Sequence, residues 1–286
     1  MTAESETITD SVHAEQIASW NGRAGAAWNE LHTRTDEMLA PTSKVLMEGA
    51  CLQPGERVLD VGCGCGDTTL RAGDAVGTHG AVVGLDVSEP MLATAKERAA
   101  GRPNLDFRLD DAATARFEVP FDVAISRFGV MFFGDPAAAF TNLAGALRDG
   151  ARIVFVCWQQ PSENEWVTVP MSAAKPFVPE TATPAPGAPG PFAFADRARV
   201  QSILETAGFT DVTIESHRAP MSMGRDPDDV LLQLGKIGPL ARAAAELTPD
   251  QAASALGAAR DAIVARSPAG PYALGGAFWL VSARRR

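Results

Sequence analysis

Residues 58–70 constrain the fold of this chain more than any other stretch, because a short apolar run leads directly into a glycine-rich turn and then a helical pattern. The run 58–61 is followed by Gly62, Gly64 and Gly66 at alternate positions. Glycine is required where the backbone turns with a positive φ, or where a bound molecule approaches so closely that a Cβ would clash. A strand, a tight turn and a helix in this order predict a ligand-binding turn at the carboxyl end of the first strand of a parallel sheet.

The charge around this turn indicates which kind of ligand it could bind. Asp60 precedes the turn, Asp67 follows it, and the glycine spacing is G-x-G-x-G. A dinucleotide-binding turn instead has the spacing G-x-G-x-x-G and offers backbone N–H groups to a pyrophosphate. Two carboxylates would repel a pyrophosphate and favour a positively charged ligand such as S-adenosylmethionine, which carries a sulfonium and an ammonium group and no phosphate. A turn whose glycines only allow close packing is the alternative.

Composition predicts one enlarged globular domain. The chain has 286 residues, of which 46% are hydrophobic and 21% are charged, so it can bury a full core. The net charge of −10 and the small number of lysines argue against a nucleic-acid partner. The cysteines form no disulfide or zinc pattern, which favours a reduced, cytoplasmic setting and no metal site. Since there is neither an 18-residue apolar run nor a signal-peptide pattern, we expect no membrane segment.

Beyond the turn, strand and helix patterns alternate, as a doubly wound parallel sheet requires. After the first strand, the predicted strands are 81–85, 105–109, 121–126, 152–158, 211–216 and 275–283. The predicted helices before the turn are 13–31, interrupted at Gly22 and Gly25, and 41–50. A proline-rich segment at 159–195 and a helical insert at 226–266 are expected to cover a substrate at the carboxyl edge of the sheet.

Acidic residues follow two of the predicted strands. Asp86 ends the second strand about 20 residues past the last glycine, a spacing at which a carboxylate can accept hydrogen bonds from both ribose hydroxyls. Asp110, Asp111 and Ala112 follow the third strand, where a carboxylate can accept from the exocyclic amine of adenine and a small residue leaves room for the ring. The alternatives are a turn role for Asp86 and a solvated acidic loop for the other two carboxylates.

Together these features resemble the class I S-adenosylmethionine-dependent methyltransferases, in particular the ubiquinone/menaquinone-type (type 11) group of bacterial small-molecule enzymes. The residues that carry the resemblance are the glycine turn, Asp86, Asp111-Ala112 and Ser126-Arg127-Phe128-Gly129 at the end of the fourth strand. Superfamily members that methylate nucleic-acid bases or glutamine have two prolines at this last position. The chain has none there, which argues against that substrate class.

The resemblance implies an α/β fold with a Rossmann-like seven-stranded sheet whose last strand is antiparallel. It further implies an N-terminal helical lid over residues 1–50, a cofactor-binding core over 51–158, and a substrate-covering loop, insert and last two strands over 159–286, all within one domain. The implied cofactor is S-adenosylmethionine, with S-adenosylhomocysteine as the product. The implied substrate is a small aromatic or apolar molecule of bacterial secondary metabolism, and the oligomeric state stays open.

The cofactor site implied by the resemblance surrounds the turn and the ends of the first four strands. Its predicted members are Trp20, Trp28, Asp60, Gly62, Cys63, Gly64, Gly66, Thr68, Asp86, Val87, Met91, Asp110, Asp111, Ala112, Ser126 and Arg127. The residues predicted to contact the substrate are Phe128, Met131, Phe132, Trp158 and Tyr272. For Trp20 and Trp28, packing of the helix against the sheet is the alternative to a lid over the cofactor.

The implied reaction is an in-line displacement, in which an O, N or C nucleophile attacks the sulfonium methyl group. Because the methyl group is already activated, positioning and desolvation can supply most of the catalysis. A base is required only where the nucleophile must lose a proton, and His13 and His32 are the candidates. Two other functions stay open: an S-adenosylmethionine-binding module without transferase activity, and an NAD(P)-dependent reductase, which the glycine spacing disfavours.

Overall fold

One seven-stranded sheet runs through the residues that the computed structural model describes, which are 13–179, 185 and 187–286. Its strands are β1 (Arg57–Val61), β2 (Ala81–Asp86), β3 (Leu105–Leu109), β4 (Phe121–Arg127), β5 (Leu147–Trp158), β6 (Phe209–Gly224) and β7 (Tyr272–Arg285). They lie in the order β3-β2-β1-β4-β5-β7-β6. Strand β7 is antiparallel to β5 and β6, and the other neighbouring strands are parallel. The predicted Rossmann-like sheet with an antiparallel last strand is therefore confirmed.

Helices surround this sheet, and several begin at side-chain caps. They are α1 (residues 13–21), α2 (Arg23–Glu30), α3 (His32–Ala50), α4 (Asp67–Val76), α5 (Glu89–Arg98), α6 (Pro136–Ala146), α7 (Glu165–Ala174), α8 (Arg197–Thr206), α9 (Pro227–Lys236), α10 (Pro239–Ala244) and α11 (Pro249–Arg266). The carboxylates of Asp135, Asp196 and Asp226 accept backbone N–H bonds at the starts of α6, α8 and α9. Thr248 and Gln251 form a capping box that starts α11. No helix in these ranges is long and apolar enough to span a membrane.

Helix α3 is longer than predicted. The sequence suggests a start at Pro41, because proline is favoured in the first turn of a helix. The structure begins the helix at His32 and carries it through Pro41. Met38, Leu39 and Leu46 are buried along the helix, and this packing offsets the backbone hydrogen bond that Pro41 cannot donate.

Strands β6 and β7 also run past their predicted ends, over 16 and 14 residues. Trp158, the last residue of β5, pairs with Phe278, which in turn pairs with His217. The pair β6–β7 therefore extends beyond the carboxyl end of β5. The insert α9–α11 connects the two strands at that end, and a separate apolar cluster packs it against α7.

Candidate functional site

The glycine-rich turn between β1 and α4 has the predicted conformation. Gly62, Gly64 and Gly66 have φ angles of 69°, 54° and 87°, in the left-handed region that favours glycine. A Cβ at Gly62 would lie 2.7 Å from the Cα of Gly129, just past the end of β4. The turn therefore lies directly against the chain that leaves β4.

Asp60 is fully buried beneath this turn, and half of its carboxylate has no partner. The hydroxyls of Thr68 and Thr69 in α4 both donate hydrogen bonds of 2.6 Å to Asp60 Oδ2. Asp60 Oδ1 is buried, and none of the residues that the structure describes gives it a hydrogen-bond partner. Burial raises the pKa of Asp60 to about 6, although the two threonine hydrogen bonds act in the opposite direction. A buried, unpaired carboxylate oxygen fits a ligand that brings a positively charged donor.

The second carboxylate of the turn, Asp67, is neutralised within the protein. Its Oδ2 lies 2.6 Å from Nη1 of Arg127 and its Oδ1 lies 2.9 Å from Nε of Arg71. Although burial opposes the change, these arginines lower the pKa of Asp67 from its ordinary value. The expectation that Asp67 adds negative charge for a ligand is therefore wrong, because two arginines compensate it.

Arg127, predicted as a cofactor residue, lies at the centre of an ion-pair network. Besides Asp67, it approaches Asp36 Oδ1 to 3.4 Å. Arg98 donates to the other oxygen of Asp36 at 2.7 Å and to the backbone oxygen of Cys65, within the turn, at 2.7 Å. The network connects α3, α4 and α5 with the end of β4 and holds the turn, so the Arg127 guanidinium has a structural partner on each side.

Asp86 links the turn to the loop that follows β2. Its Oδ2 accepts a hydrogen bond of 2.8 Å from Gly64 N, and its Oδ1 accepts one of 2.8 Å from Ser88 N. Burial raises the pKa of Asp86, and the two backbone hydrogen bonds counteract this rise. Each carboxylate oxygen keeps a second lone pair, so the predicted contacts with two ribose hydroxyls are compatible with these bonds.

Helices α1 and α2 lie over this same loop. Asn21 donates a hydrogen bond of 2.8 Å to Val87 O and accepts one of 3.1 Å from Glu89 N. The Ser88 hydroxyl donates to Trp20 O at 2.7 Å. The N-terminal helices therefore contact the backbone on both sides of Ser88, next to the carboxylate predicted to bind the ribose.

His13 and Asp111 were predicted for different roles, yet they are in contact. His13 Nε2 lies 2.6 Å from Asp111 Oδ2, and Asp111 Oδ1 accepts from Ala113 N at 2.9 Å. Asp110 instead pairs with Arg108 at 2.6 Å. Two strands, β2 and β1, separate β3 from β4. His13 is therefore held at the end of β3, away from the predicted acceptor residues that follow β4.

The second candidate base, His32, is at the junction of α2 and α3. Its Nδ1 lies 2.8 Å from Asn29 O. The side chain of Asn29 accepts a hydrogen bond of 2.6 Å from Thr94 in α5. The contacts found for His32 therefore belong to the attachment of the N-terminal helices, and its role as a base stays a prediction.

Three packed rings, Phe128, Trp158 and Trp166, form what we call the aromatic surface beyond the ends of β4 and β5; Phe128 and Trp158 are 7% and 6% exposed, and Trp166 is partly buried. Phe128 and Trp158 stack with ring centroids 4.2 Å apart and an interplanar angle of 10°. The rings of Trp158 and Trp166 are 4.9 Å apart. Because Phe128 directly precedes Gly129, this surface begins where the chain leaving β4 touches the turn.

Trp20 joins the N-terminal helices to the same side of the turn. Its ring meets Phe132 edge to face at 5.0 Å and Trp28 at 6.2 Å. Trp20, which is predicted to cover the cofactor, is thus in contact with a residue predicted to contact the acceptor, and Trp28 packs against Trp20. Trp28 also packs against the main core, and the lid role of the two tryptophans stays a prediction.

Two residues predicted to contact the acceptor lie elsewhere. Met131 is only 1% exposed and belongs to the main core. Tyr272 is 7% exposed and packs in the cluster between the insert and α7, with its hydroxyl 3.4 Å from Pro268 O. Neither side chain is on the aromatic surface, so the structure gives no support for these two contacts.

The remaining predicted cofactor residues are near the turn or in the layer beneath it. Ser126 donates a hydrogen bond of 2.7 Å to Val61 O and accepts one of 3.1 Å from Gly129 N, which joins the ends of β1 and β4. Ser126 is buried, as are Cys63, Met91 and Ala112.

Sequence reasoning missed several residues that build the site. Asp36 and Arg98 read as exposed helix charges, and their partners are distant in sequence. Asn21 stands beside the glycines that interrupt the first helical pattern, which is the one local signal for a special role. Trp166 could have been singled out as the only tryptophan of the proline-rich segment 159–195.

Comparison with known proteins identifies relatives in sequence. Residues 58–150 match a family model described as a methyltransferase domain. The nocamycin O-methyltransferase of Saccharothrix syringae is 33% identical over 187 residues, which cover 62% of this chain and 67% of that protein. Aklanonic acid methyltransferase DauC of Streptomyces sp. (strain C5) is 30% identical over 151 residues, which cover 52% of this chain and 67% of that protein. A demethylmenaquinone methyltransferase of Staphylococcus haemolyticus is 30% identical over 190 residues, which cover 60% of this chain and 76% of that protein.

Solved structures share the fold at lower identity. The YcgJ protein from Bacillus subtilis has a TM-score of 0.55 and 17% identity, over 86% of this chain and 99% of that one. A structure from work on echinomycin biosynthesis has a TM-score of 0.53 and 21% identity, over 86% of this chain and 81% of that one. At these identities the likeness establishes the common architecture.

Proposed function

Since this chain belongs to the S-adenosylmethionine-dependent methyltransferases, in the type 11 group of class I, we propose that it methylates an oxygen atom of a small aromatic or apolar molecule. The family membership rules out the reductase alternative and makes the chain an enzyme with S-adenosylmethionine as its cofactor. The acceptor is the new part of the proposal. The observation that carries it is the aromatic surface of Phe128, Trp158 and Trp166, which begins beside the cofactor turn.

The residues around the turn suit this cofactor, which when bound supplies an electrophilic methyl group on its sulfonium. The buried, unpaired Oδ1 of Asp60 is suited to the ammonium group of the methionine part. Asp86 has free lone pairs for the ribose hydroxyls. Three left-handed glycines provide a close backbone approach with no side chain in the way.

The aromatic surface would bind the acceptor by stacking on Trp166, its partly exposed member. Large flat side chains bury apolar ring area and orient a ring through its face. Holding the acceptor atom next to an activated methyl group, with water excluded, supplies the positioning that this reaction needs. A planar or polycyclic acceptor matches these side chains better than a flexible polar one.

The positions of the histidines bear on the acceptor atom. His13 is bound to Asp111 at the end of β3, and His32 to the backbone of Asn29. Since two strands separate His13 from the residues that follow β4, and His32 contacts the backbone of Asn29, we propose an acidic oxygen that ionises without a protein base, such as an enol or a carboxylic acid. The names of two relatives, a nocamycin O-methyltransferase and an aklanonic acid methyltransferase, support this choice.

The proposal is tested with methyl-labelled S-adenosylmethionine and a panel of planar carboxylic acids, enols, phenols, anilines and indoles. We expect labelled methyl ester or ether from one of the acidic oxygen compounds, detected by mass spectrometry together with S-adenosylhomocysteine. The Asp86→Ala variant serves as the control for cofactor-dependent turnover. Methylation of the anilines or indoles alone would contradict the oxygen assignment.

A further inference from the structure

A small cavity lies between α3, α7 and the insert. Its volume is about 30 Å³, and it is lined mainly by apolar side chains. They include Met38 from α3, Trp166 and Met171 from α7, Met223 from β6 and Leu234 from α9. A space of this size holds about one water molecule, so a ring can enter only when the insert moves away from α7.

One lining side chain, Gln233, presents an amide to this apolar space. Gln233 is 4% exposed. Its Nε2 donates to the thioether sulfur of Met38 at 2.9 Å and to Ser222 O at 3.3 Å, so both amide hydrogens are used. Within the described ranges, no protein donor bonds to its Oε1. This oxygen is not fully buried, so it remains available to a ligand.

The other polar side-chain group that lines the cavity, the indole N–H of Trp166, has a hydrogen-bond partner within the protein. Trp166 Nε1 donates to the side chain of Asn164 at 2.9 Å. Asn164 is buried and also accepts from Ala277 N at 2.8 Å, so the indole of Trp166 is held in place. The Gln233 oxygen is therefore the polar atom by which the cavity could distinguish ligands.

The cavity and the aromatic surface share the side chain of Trp166. Trp166 lines the cavity and also contacts Trp158, whose ring stacks on Phe128. A ring system that begins at Phe128 beside the turn and continues over Trp158 would reach Trp166 and Gln233 at its far end.

We propose that this cavity is the distal end of the acceptor site, and that Gln233 Oε1 accepts a hydrogen bond from a hydroxyl or N–H group on the acceptor's apolar ring. The inference rests on the proposed function, and it narrows the acceptor class. The molecule is an apolar ring system that carries, besides the methylated oxygen, a hydrogen-bond donor at its opposite end. Gln233 is then a specificity-determining residue.

The test uses two probes of nearly equal shape, 2-naphthol and 2-methoxynaphthalene, since only the first can donate a hydrogen bond. Equilibrium dialysis, with and without S-adenosylhomocysteine, gives the dissociation constant of each probe for the wild type, for Gln233→Met and for Gln201→Met. Methionine matches glutamine in length and removes the amide. Gln201 bonds to Glu205 on an exposed face of α8, so its variant is the matched control.

We expect the wild type and Gln201→Met to bind 2-naphthol about tenfold more tightly than the ether, the scale of one buried hydrogen bond. In Gln233→Met this ratio should fall below about twofold, with little change for the ether. A wild-type ratio near one, or an unchanged ratio in Gln233→Met, would overturn the proposal. The ratio measured for the wild type tests the proposal without any variant. If Gln233→Met does not fold, Gln233→Leu is used in its place. Protein that binds both probes with a ratio of one contradicts this inference alone, whereas protein that binds S-adenosylhomocysteine but neither probe contradicts the proposed aromatic acceptor as well.

Discussion

Asp60 is a buried carboxyl group whose Oδ2 accepts hydrogen bonds from the hydroxyls of Thr68 and Thr69. Burial raises its pKa from 3.8 to about 6. A carboxyl group whose pKa is higher in the folded state binds its proton more strongly there than in the unfolded chain. Its stabilising contribution is therefore complete below pH 3.8 and is lost as the pH rises through about 6.

We expect Asp60→Asn to be more stable than the wild type at pH 7 when no cofactor is present. The difference should be about 1–3 kcal/mol in the free energy of unfolding, since one pKa unit corresponds to about 1.4 kcal/mol. At pH 4 most of this difference should disappear, because the native carboxyl is then already neutral. Urea denaturation at both pH values measures the effect, and a difference that does not depend on pH would contradict the assigned origin.

Asp86 combines a structural and a binding role. We expect Asp86→Ala to weaken binding of S-adenosylmethionine by about 1–3 kcal/mol, the scale of lost hydrogen bonds to a charged acceptor. Asp106→Ala is the matched control, because Asp106 is exposed on the neighbouring strand β3. Calorimetric titration and the melting temperature of both variants separate binding from folding. Wild-type affinity in a folded Asp86→Ala protein would contradict the ribose assignment.

At the level of single residues, sequence predicts best where a role depends on a local pattern. The left-handed glycines and the acidic end of β2 are of this kind. The roles of Asp67 and Arg127 depend instead on each other and on Asp36, which lies 91 residues from Arg127 in the chain. Such pairing requires the fold, so the local charge pattern around the turn gave the wrong role for Asp67.

Among the elements, α1 and α2 are attached to the cofactor side by a few specific contacts. Asn21 bonds to the backbone before and after Ser88. A Cβ at Gly25 would lie 1.8 Å from Trp20 O and 3.1 Å from the Ser88 hydroxyl, so the junction between the two helices requires glycine. These contacts make the N-terminal helices a cover for the loop after β2.

We expect Asn21→Ala to loosen this cover and to speed the release of S-adenosylhomocysteine by about fivefold or more, since two hydrogen bonds are worth about 1–2 kcal/mol together. Stopped-flow tryptophan fluorescence follows the release. Asn104→Ala is the control, because the Asn104 amide also makes two bonds to backbone oxygens, Gly73 O and Gly77 O. Equal release rates in the two variants would contradict a lid role for α1 and α2.

The lengths of α3, β6 and β7 show where local patterns are insufficient. Pro41 suggests a helix start, yet tertiary packing of α3 carries the helix across it. In β6, Pro220 suggests a strand end, although the strand continues to Gly224 as the edge of the sheet. An edge strand tolerates proline because one row of its N–H groups has no partner strand.

In the whole molecule, the cofactor turn, the aromatic surface and the insert meet at one edge of the sheet. The N-terminal helices also contact the insert, because Lys236 pairs with Glu30 at 2.8 Å and Arg34 pairs with Asp229. The parallel sheet followed from the alternating pattern, and its seven strands with an antiparallel last strand followed from the family resemblance. The contact between the N-terminal helices and the insert, which lie about 200 residues apart in the chain, could not be predicted in this way. It depends on the packing of long connecting segments and on side chains that follow no periodic pattern.

The central claim is that the glycine turn and the buried carboxylate of Asp60 hold S-adenosylmethionine. Calorimetric titration of the wild type and of Asp60→Asn with S-adenosylmethionine, between pH 5.5 and pH 8, tests it most directly. We predict that the wild-type affinity rises with pH as the carboxyl ionises near pH 6, and that the variant binds at least about tenfold more weakly with little dependence on pH. Equal affinity of the two proteins across this range, or no binding by the wild type, would contradict the account.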